Sequence, residues 1–340
     1  MSSQPRKRPP TMSDIARLAE VSRTTVSFVL NNHASSASIP AETKERILEA
    51  AKHLSYRPNL AAKSLRTHQS HTIGFITDEI ATTPYAVNII RGAQDAAWAN
   101  GKLLLIVNTG SDAAVAETAT EMLLERQVEG IIYAAMYHQE VTLPANMYES
   151  SVVLVDCFST DRALPSVVPN ELQGGQTATE VLLQKGHRRI GFINNIDPIP
   201  ATFGRLEGYK QALKAYDVPF NEELVRVYPS QVQGGYQGTI DLMQLREPPT
   251  AIFCFSDFVA IGAYEALRQL RLSVPNDVAI IGFDNYELIA SKLSFSLSTI
   301  ELPHYEMGKW AVEFLLEHSG EPLPPVQHTI NCPYIERQSV

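Results

Sequence analysis

The sequence predicts an α/β protein with a small helical domain at its N-terminus, followed by a body of two doubly wound α/β subdomains. Three features predict this fold. Apolar residues recur at helical spacing near the N-terminus, short apolar runs alternate with helical patterns from residue 72 onward, and the second half of that pattern repeats the first. A chain of 340 residues is also too long for one ordinary domain, so two or three are expected.

Residues 12–31 predict two short helices joined by a tight turn. Ile15 and Leu18 recur at a spacing of three, which places them on one apolar face of the first helix. Val26 and Val29 have the same spacing in the second helix and are expected to form its buried face. The two apolar faces can therefore pack against each other.

The opposite face of the second helix is polar, with Ser22 at the position of the N-cap. Its side chains can donate hydrogen bonds to phosphates and to base edges in a major groove. Two packed amphipathic helices alone would fit any all-α domain. A third helix at 41–54, however, completes a helix-turn-helix DNA-binding pattern in which 22–31 is the reading helix. The candidate DNA-contacting residues of this helix are Ser22, Arg23, Thr24, Thr25, Ser27 and Asn31.

Charge is divided unevenly along the chain. Residues 1–70 hold 11 Lys and Arg and 5 Asp and Glu, a net charge of +6. Residues 71–340 hold 17 and 32, a net charge of −15, and the two parts sum to −9. A basic head on an acidic body favours nucleic-acid binding by the head and argues against DNA binding by the body. Residues 1–10 are predicted to be a disordered basic arm.

The sequence predicts a cytoplasmic protein without metal or cofactor. No apolar run approaches the ~18 residues of a membrane helix, and no secretory signal is present. Cys157, Cys254 and Cys332 are isolated and lie in or beside apolar runs, which favours buried, reduced thiols over a zinc site or a disulfide.

Several motifs at fixed spacing run through the N-terminal region. They are D-I-A-x-x-A at 14–19, V-S-x-x-T-V-S at 21–27, V-L-N at 29–31 and Y-x-P-N-x-x-A-x-S-L at 56–65. With these motifs the chain resembles the lactose/galactose repressor (LacI/GalR) family of bacterial transcription factors. The likeness continues into the body and covers nearly the whole chain.

The resemblance implies domain boundaries and partners. It implies a helix-turn-helix domain over 11–57, a hinge helix and linker over 58–70, and an effector-binding and dimerisation body over 71–340. It also implies a homodimer, or a dimer of dimers, that binds a palindromic operator and responds to a small molecule. Arg23 and Thr24 would read bases. The residues expected to contact phosphate are Ser22, Thr25 and Ser27.

The hinge helix would add contacts in the minor groove, where Leu65 would wedge between bases and kink the DNA. The candidate hinge residues are Asn59, Ala62, Leu65 and Arg66. Three features depart from the family pattern: Glu20 stands where Gly is usual in the turn, Phe28 replaces a frequent Arg, and the 32–38 loop is longer. A residue other than Gly with positive φ costs on the order of 1 kcal/mol.

From residue 72 apolar strands alternate with helical patterns, which predicts parallel sheets covered on both faces. The predicted strands are 73–77, 103–107, 130–133, 152–155, 189–193, 225–228, 251–255 and 278–283. Ile73–Ile76 recurs as Ile190–Ile193 at an offset of 117, and 92–96 is echoed by 208–212 at an offset of 116, which favours duplication.

The resemblance implies that the two halves are periplasmic-binding-protein-like lobes with a ligand cleft between them. The expected lobes are about 71–168 with 301–325, and about 169–300 with 326–340. The last helix, 305–318, is expected in the first lobe, and the closing strand, Gln327–Asn331, in the second.

Polar residues follow the predicted strands at their carboxyl ends, where open parallel sheets bind ligands. Carboxylates, amides and one Arg suit a polar molecule with adjacent hydroxyls. A sugar is the expected effector, and a purine or nucleoside is the alternative. Relatives place a ligand-gripping Arg where Arg205 stands. The candidate effector-binding residues are Tyr85, Asp156, Phe203, Arg205, Ser256, Asp257 and Asp284.

These residues also have structural alternatives. Asp257 could cap its helix, Asp284 could fix its own turn, and Arg205 could pair with a surface acid such as Glu207. Trp98 is expected in the core, on the packed face of its helix.

Two other classes of function fit less well. The sequence has no G-x-G-x-x-G after a strand, no Walker-type G-K-[ST] and no G-x-S-x-G elbow, so we do not expect an enzyme. A sugar-binding transport protein would share the body, but it would need an export signal and would not carry a basic helical head.

Overall fold

The chain divides into two compact units, Met1–Gln69 and Ser70–Val340, which we call the head and the body. The structure is a computed structural model that describes residues 8, 10–31, 34–56, 70–83, 86–293 and 296–340. The predicted basic arm, apart from Arg8 and Pro10, and the predicted hinge helix lie outside these residues. Within them, no helix is long and apolar enough to cross a membrane.

Three helices pack around one small apolar core in the head. They are α1 Met12–Leu18, α2 Arg23–Leu30 and α3 Ala41–His53. Ile15, Val26 and Ile47 are fully buried, one from each helix, so the spacing of apolar residues determines which face of each helix turns inward. The loop before α3 contains a 3-10 helix, Ala34–Ser38.

The start of each of the first two helices is fixed by side-chain hydrogen bonds. The Thr11 N–H and the Thr11 hydroxyl donate to the Asp14 carboxylate at 2.9 and 2.7 Å. Ser22 is the N-cap of α2 and accepts from the Thr25 N–H at 3.1 Å. These bonds satisfy backbone and side-chain groups that the helix itself leaves unpaired.

The turn between α1 and α2 contains a strained residue. Glu20 is exposed and has a φ of 52°, a conformation that Gly adopts without a steric penalty. We expect Glu20→Gly to raise the free energy of unfolding of the head by about 0.5–1 kcal/mol. Urea denaturation followed by far-UV circular dichroism measures this change. Trp98 and Trp310 both lie in the body, so tryptophan fluorescence follows the body as an internal reference.

Glu49→Gly provides the matched control. Glu49 is also exposed, but it lies inside α3, where Gly lowers helix stability by about 1 kcal/mol. The two substitutions should therefore change the free energy of unfolding of the head in opposite directions. Equal losses of stability in the two variants would show that the turn does not require Gly-like geometry.

The body contains two six-stranded sheets with helices on both faces, as the sequence predicts. Its strands are β1 Thr72–Thr77, β2 Leu103–Asn108, β3 Ile131–Val141, β4 Val152–Ser159, β5 Ser166–Pro169, β6 Ile190–Asn195, β7 Val225–Tyr228, β8 Ala251–Cys254, β9 Ala279–Asp284, β10 Ser298–Glu301, β11 Gln327–Ile330 and β12 Tyr334–Ile335. Its α-helices are α4 Val87–Ala99, α5 Ala113–Glu125, α6 Glu171–Gln184, α7 Pro200–Ala215, α8 Val232–Met243, α9 Asp257–Gln269, α10 Glu287–Ala290 and α11 His304–Glu317.

The strand order is β11-β5-β4-β3-β1-β2 in the first sheet and β12-β10-β9-β8-β6-β7 in the second. The pairings are parallel except that β12 runs antiparallel to β10. Strands inside each sheet, such as β4 and β6, are buried along almost their whole length, as expected for parallel strands covered by helices on both faces. We call the two halves lobe one and lobe two.

Three helix pairs approach so closely that their backbones touch. At each crossing both helices carry a glycine, and a Cβ atom on either one would lie within 2.4 Å of a backbone oxygen on its partner. The pairs are Gly92 and Gly308 between α4 and α11, Gly175 and Gly208 between α6 and α7, and Gly235 and Gly262 between α8 and α9. These crossings leave no room for a side chain.

Two expectations from the sequence are wrong. The strand at 327–330 pairs in parallel with β5 in lobe one, not in lobe two, and the chain enters lobe two only at β12. Its alternation of exposed and half-buried residues fits an edge strand of either sheet. Trp98 is 70% exposed rather than in the core, because it lies at the end of α4 beyond the buried stripe of Gly92, Ala93, Ala96 and Ala97.

Candidate functional site

The exposed face of the reading helix presents Ser22, Arg23 and Thr24 at its first turn. The Ser22 and Thr25 hydroxyls share a hydrogen bond of 2.8 Å, which holds both side chains on this face. Arg23 and Thr24 therefore project beside an ordered pair of hydroxyls. This geometry suits contact with a polyanion, because a guanidinium and hydroxyls can all donate to phosphate oxygens.

Ser27 and Asn31 bond to each other at the end of the same helix. The Asn31 side-chain amide donates to the Ser27 carbonyl at 2.8 Å and to the Ser27 hydroxyl at 3.2 Å. Both residues are half-buried. Asn31 thus closes the last turn of α2, a structural role that the sequence did not indicate. Among the hinge candidates, Asn59, Ala62, Leu65 and Arg66 lie outside the described residues.

Asp156 contributes a buried carboxyl to the inner end of lobe one. It lies in β4 with a φ of 56° and is 3% exposed. Its Oδ1 accepts no hydrogen bond from any described residue, and its Oδ2 is 4.0 Å from Nε2 of His304. Burial raises the pKa of this carboxyl well above its usual range, and the nearby Glu171 carboxylate raises it further.

Arg205 is held inside lobe two by a buried ion pair. Its Nε donates to Oε2 of Glu171 at 2.7 Å, and its Nη1 donates to the Phe255 carbonyl and lies 3.8 Å from Oδ1 of Asp284. The guanidinium also stacks on the Phe283 ring, 3.5 Å from its centroid. Glu171 is the main partner, although the sequence did not indicate it as a site residue. Glu171 follows the end of β5, but β5 is not among the predicted strands, so the strand-end rule did not reach this residue.

Ser256 and Asp257 use their side chains within the wall of lobe two. The Asp257 carboxylate accepts from the Tyr286 N–H and from the Thr299 hydroxyl, both at 2.7 Å. Ser256, rather than Asp257, caps α9 and also bonds the Ser230 hydroxyl at 2.8 Å. Burial raises the pKa of Asp257 to about 7, although its hydrogen bonds oppose this shift.

Asp284 ends β9 in a left-handed conformation with a φ of 110°. Burial raises its pKa well above the usual range, and Arg205 opposes that shift. Phe203 lies two residues before Arg205, in the first turn of α7, and is 61% exposed. Its ring therefore remains accessible for stacking. Tyr85 lies outside the described residues.

The two lobes bring these groups together where α7 meets β3. Asp156 of lobe one is close enough to Glu171 and Arg205 of lobe two to influence, or be influenced by, their charges. His138, in the outer part of β3, is also close enough to Glu171 and Arg205 to be influenced by their charges, and burial lowers its pKa. Nδ1 of His138 and Oδ1 of Asn195 are buried and lack a hydrogen-bond partner among the described residues. A polar ligand could satisfy such atoms.

Comparison with known proteins decides the family. The family model of the lacI family of bacterial regulatory proteins matches residues 11–59, and that of a periplasmic-binding-protein-like domain matches residues 179–340. The ribose operon repressor of Haemophilus influenzae is 34% identical over 315 residues, which cover 92% of each chain. The chain belongs to the lacI family of bacterial regulatory proteins. It is a DNA-binding transcriptional regulator, as the sequence predicts.

Two further matches extend across this lacI-family chain. The transcriptional repressor PurR of Aliivibrio salmonicida is 30% identical over 309 residues, or 90% of this chain and 91% of the relative. The crystal structure of the lac repressor dimer bound to operator and the anti-inducer ONPF covers 98% of this chain and 99% of its own, with 24% identity and a TM-score of 0.79. The second likeness concerns the fold, and it confirms the predicted architecture.

The cleft of this lacI-family regulator is suited to binding. Among the described residues, its buried groups include four carboxyls and one guanidinium, and buried oxygen and nitrogen atoms of the cleft have no hydrogen-bond partner there. The carboxyls are Asp156, Glu171, Asp257 and Asp284. Carboxylates accept hydrogen bonds from ligand hydroxyls, and an exposed aromatic ring can cover the apolar face of a sugar or a purine.

Proposed function

We propose that this protein is a repressor whose affinity for a palindromic operator is controlled by a small molecule bound between the two lobes. One observation carries this proposal: buried polar atoms of Asp156, His138 and Asn195 have no hydrogen-bond partner among the described residues, and the cleft also contains an ion-paired Arg205. Leaving such groups without a hydrogen bond costs about 1–3 kcal/mol each, so a ligand that satisfies them binds favourably. A protein that binds chromosomal operators works in the cytoplasm.

The effector is a neutral sugar in this proposal. Hydroxyl groups can donate to the carboxyls of the cleft and accept from Arg205, and Phe203 can stack on the ring of the sugar. D-Ribose is the first compound to test, because a relative of 34% identity is a ribose operon repressor. A purine is the second candidate. The exposed Phe203 ring supports it, since a purine stacks well on such a face.

A homodimer would form through an apolar face of lobe one. The edge strand β2 exposes Leu105 and Ile106, and the neighbouring helix α5 exposes Val115 and Met122. A contiguous apolar patch of this kind on a soluble domain indicates a protein interface. In a twofold dimer the same face of each copy would meet its equivalent. The two reading helices of the dimer would enter adjacent major grooves of the operator.

In this dimer Arg23 and Thr24 would contact bases, and the Ser22, Thr25 and Ser27 hydroxyls would position the helix on phosphates. Leu65 of the hinge region would wedge into the minor groove, with Asn59, Ala62 and Arg66 beside it. We expect Arg23→Ala to weaken binding to the preferred operator by about 1–3 kcal/mol, or roughly five- to 150-fold, because a bidentate contact to a base is lost.

The experiment first selects the operator from random oligonucleotides with the wild-type protein. Fluorescence anisotropy at fixed salt then compares wild type and Arg23→Ala on the selected site. Arg268→Ala is the matched control, since Arg268 is an exposed arginine of the body. Its affinity should stay within twofold of wild type, as expected for a surface charge that belongs to the body and not to the reading helix. Unchanged affinity of Arg23→Ala would remove Arg23 from the interface, and selection of no inverted repeat would contradict the proposal itself.

A further inference from the structure

We propose that Glu171 sets the charge selectivity of the cleft: by neutralising Arg205, it makes the site accept uncharged polyols and reject phosphorylated ligands. The inference rests on the proposed role of the cleft as the effector site. It goes further because it assigns a specificity-determining role to a residue that need not touch the ligand, and because it excludes sugar phosphates and nucleotides.

The geometry commits Arg205 to Glu171. Glu171 is 6% exposed, and its Oε2 accepts from Nε of Arg205 at 2.7 Å. Gly204 permits this approach, because a Cβ atom at that position would lie 2.7 Å from Cβ of Glu171. The Phe283 and Phe255 rings lie against the guanidinium, with centroids 3.5 and 4.3 Å away. The cation is thus fixed on an internal carboxylate rather than directed at open solvent.

The ionisable groups closest to Arg205 are carboxyls, which supply no positive charge. Asp284 lies 3.8 Å from Nη1, and the Asp156 and Asp257 carboxyls lie in the same buried region. Arg337, which also acts on Asp257, donates to the Leu297 carbonyl and to the Asn285 side chain. Burial lowers the pKa of His138, which keeps this imidazole neutral at neutral pH. A phosphate dianion entering such a site would lose its hydration without gaining a free cation, which is costly at low dielectric. A neutral polyol meets no such penalty and can donate to Oδ1 of Asp156, which has no partner among the described residues.

The test compares full-length wild type and Glu171→Gln by thermal unfolding with matched pairs of probes. The pairs are D-ribose and D-ribose 5-phosphate, D-glucose and D-glucose 6-phosphate, and inosine and inosine 5′-monophosphate. Inorganic phosphate against chloride at equal ionic strength is a further probe that needs no knowledge of the effector. A ligand that binds the folded state raises the unfolding temperature by mass action.

In wild type, we expect at least one uncharged compound to raise the unfolding temperature more than its phosphorylated partner, and phosphate to match chloride. In Glu171→Gln, which frees the guanidinium charge, the ratio of affinities that favours the uncharged partner should fall by about tenfold or more. Phosphate should then raise the unfolding temperature in a saturable way. Glu180→Gln is the matched control: it makes the same change on the same helix, outside the cleft, and should behave as wild type.

Three results would overturn the proposal. One is a wild type that binds a phosphorylated compound at least as tightly as its uncharged partner. Another is a folded Glu171→Gln protein with unchanged selectivity and no phosphate binding. The third is a wild type that responds to no uncharged compound of the panel. Operator selection tests the regulator assignment independently, so its failure can be distinguished from failure of the charge rule. If Glu171→Gln does not fold, the wild-type comparison alone still decides between the two ligand classes.

Discussion

Replacing Arg205 with Met should lower the free energy of unfolding of the body by about 3–5 kcal/mol, because it removes one half of a buried ion pair. Methionine fills a similar volume but carries no charge. Glu171 and Asp284 would then remain buried without their common cation, and the Phe255 carbonyl would lose a donor. Urea denaturation of the full-length protein, followed by far-UV circular dichroism, measures the loss.

A second substitution separates the missing cation from simple loss of packing. In the double variant Arg205→Met with Glu171→Gln, much of the lost stability should return, because removing both members of a buried pair costs far less than removing one. Lys185→Met is the control for charge removal alone. Lys185 and Glu336 form an exposed pair at 3.4 Å, and such pairs contribute at most about 1 kcal/mol. A loss below about 1 kcal/mol for Arg205→Met would contradict the role assigned to this pair.

Gly308→Ala is expected to destabilise the body by about 3 kcal/mol or more, or to prevent folding. The added Cβ atom would lie 1.9 Å from the Ile89 carbonyl oxygen and 2.9 Å from the Ala93 nitrogen. Both are backbone atoms of α4, so α4 and α11 would have to separate. The direction of this change in stability is informative, because Gly→Ala inside an unobstructed helix has the opposite effect and stabilises the helix by about 1 kcal/mol.

Thermal and urea unfolding of Gly308→Ala can be compared with Gly238→Ala in the same protein. Gly238 also lies inside a helix, α8, but the three atoms nearest to its added Cβ atom all belong to the Ile193 side chain, at 2.9–3.2 Å. A side chain can shift where a backbone cannot, so the loss should be clearly smaller for Gly238→Ala. Equal losses for the two variants would show that close backbone packing does not determine the effect.

The fold was largely predictable, because its signals are local. Apolar runs bounded by polar turns located nine of the twelve described strands, and helical spacing located the three helices of the head. The short strands β5, β10 and β12 were not predicted, and β3 extends eight residues beyond its predicted end. The strand at 327–330 was misplaced because its pattern alternates, and alternation shows that one side is exposed without naming the sheet it joins. That choice depends on a contact with Ser166–Pro169, about 160 residues earlier in the chain.

The site was predictable to the level of strand ends but not to the level of pairs. Asp156 could be selected because it follows a predicted strand, and Arg205 because relatives place a ligand-binding Arg at its position. The ion pair between Arg205 and Glu171 could not, since it joins residues 34 apart through the packing of α6 on α7. The mutual bond of Ser27 and Asn31 was also missed, because the same polar side chains fit either contact with DNA or the end of a helix.

The glycine crossings have a consequence for how ligand binding reaches the operator. Where two main chains touch, no side chain can rearrange, so a helix cannot slide along its neighbour. Each helix pair should therefore move as one rigid body. Any movement of one lobe against the other is then concentrated in the three short connections near residues 170, 302 and 332. A small rotation at those hinges would move each lobe as a rigid body, including the end far from the cleft. Ligand binding could therefore change the arrangement of the lobes without repacking either core.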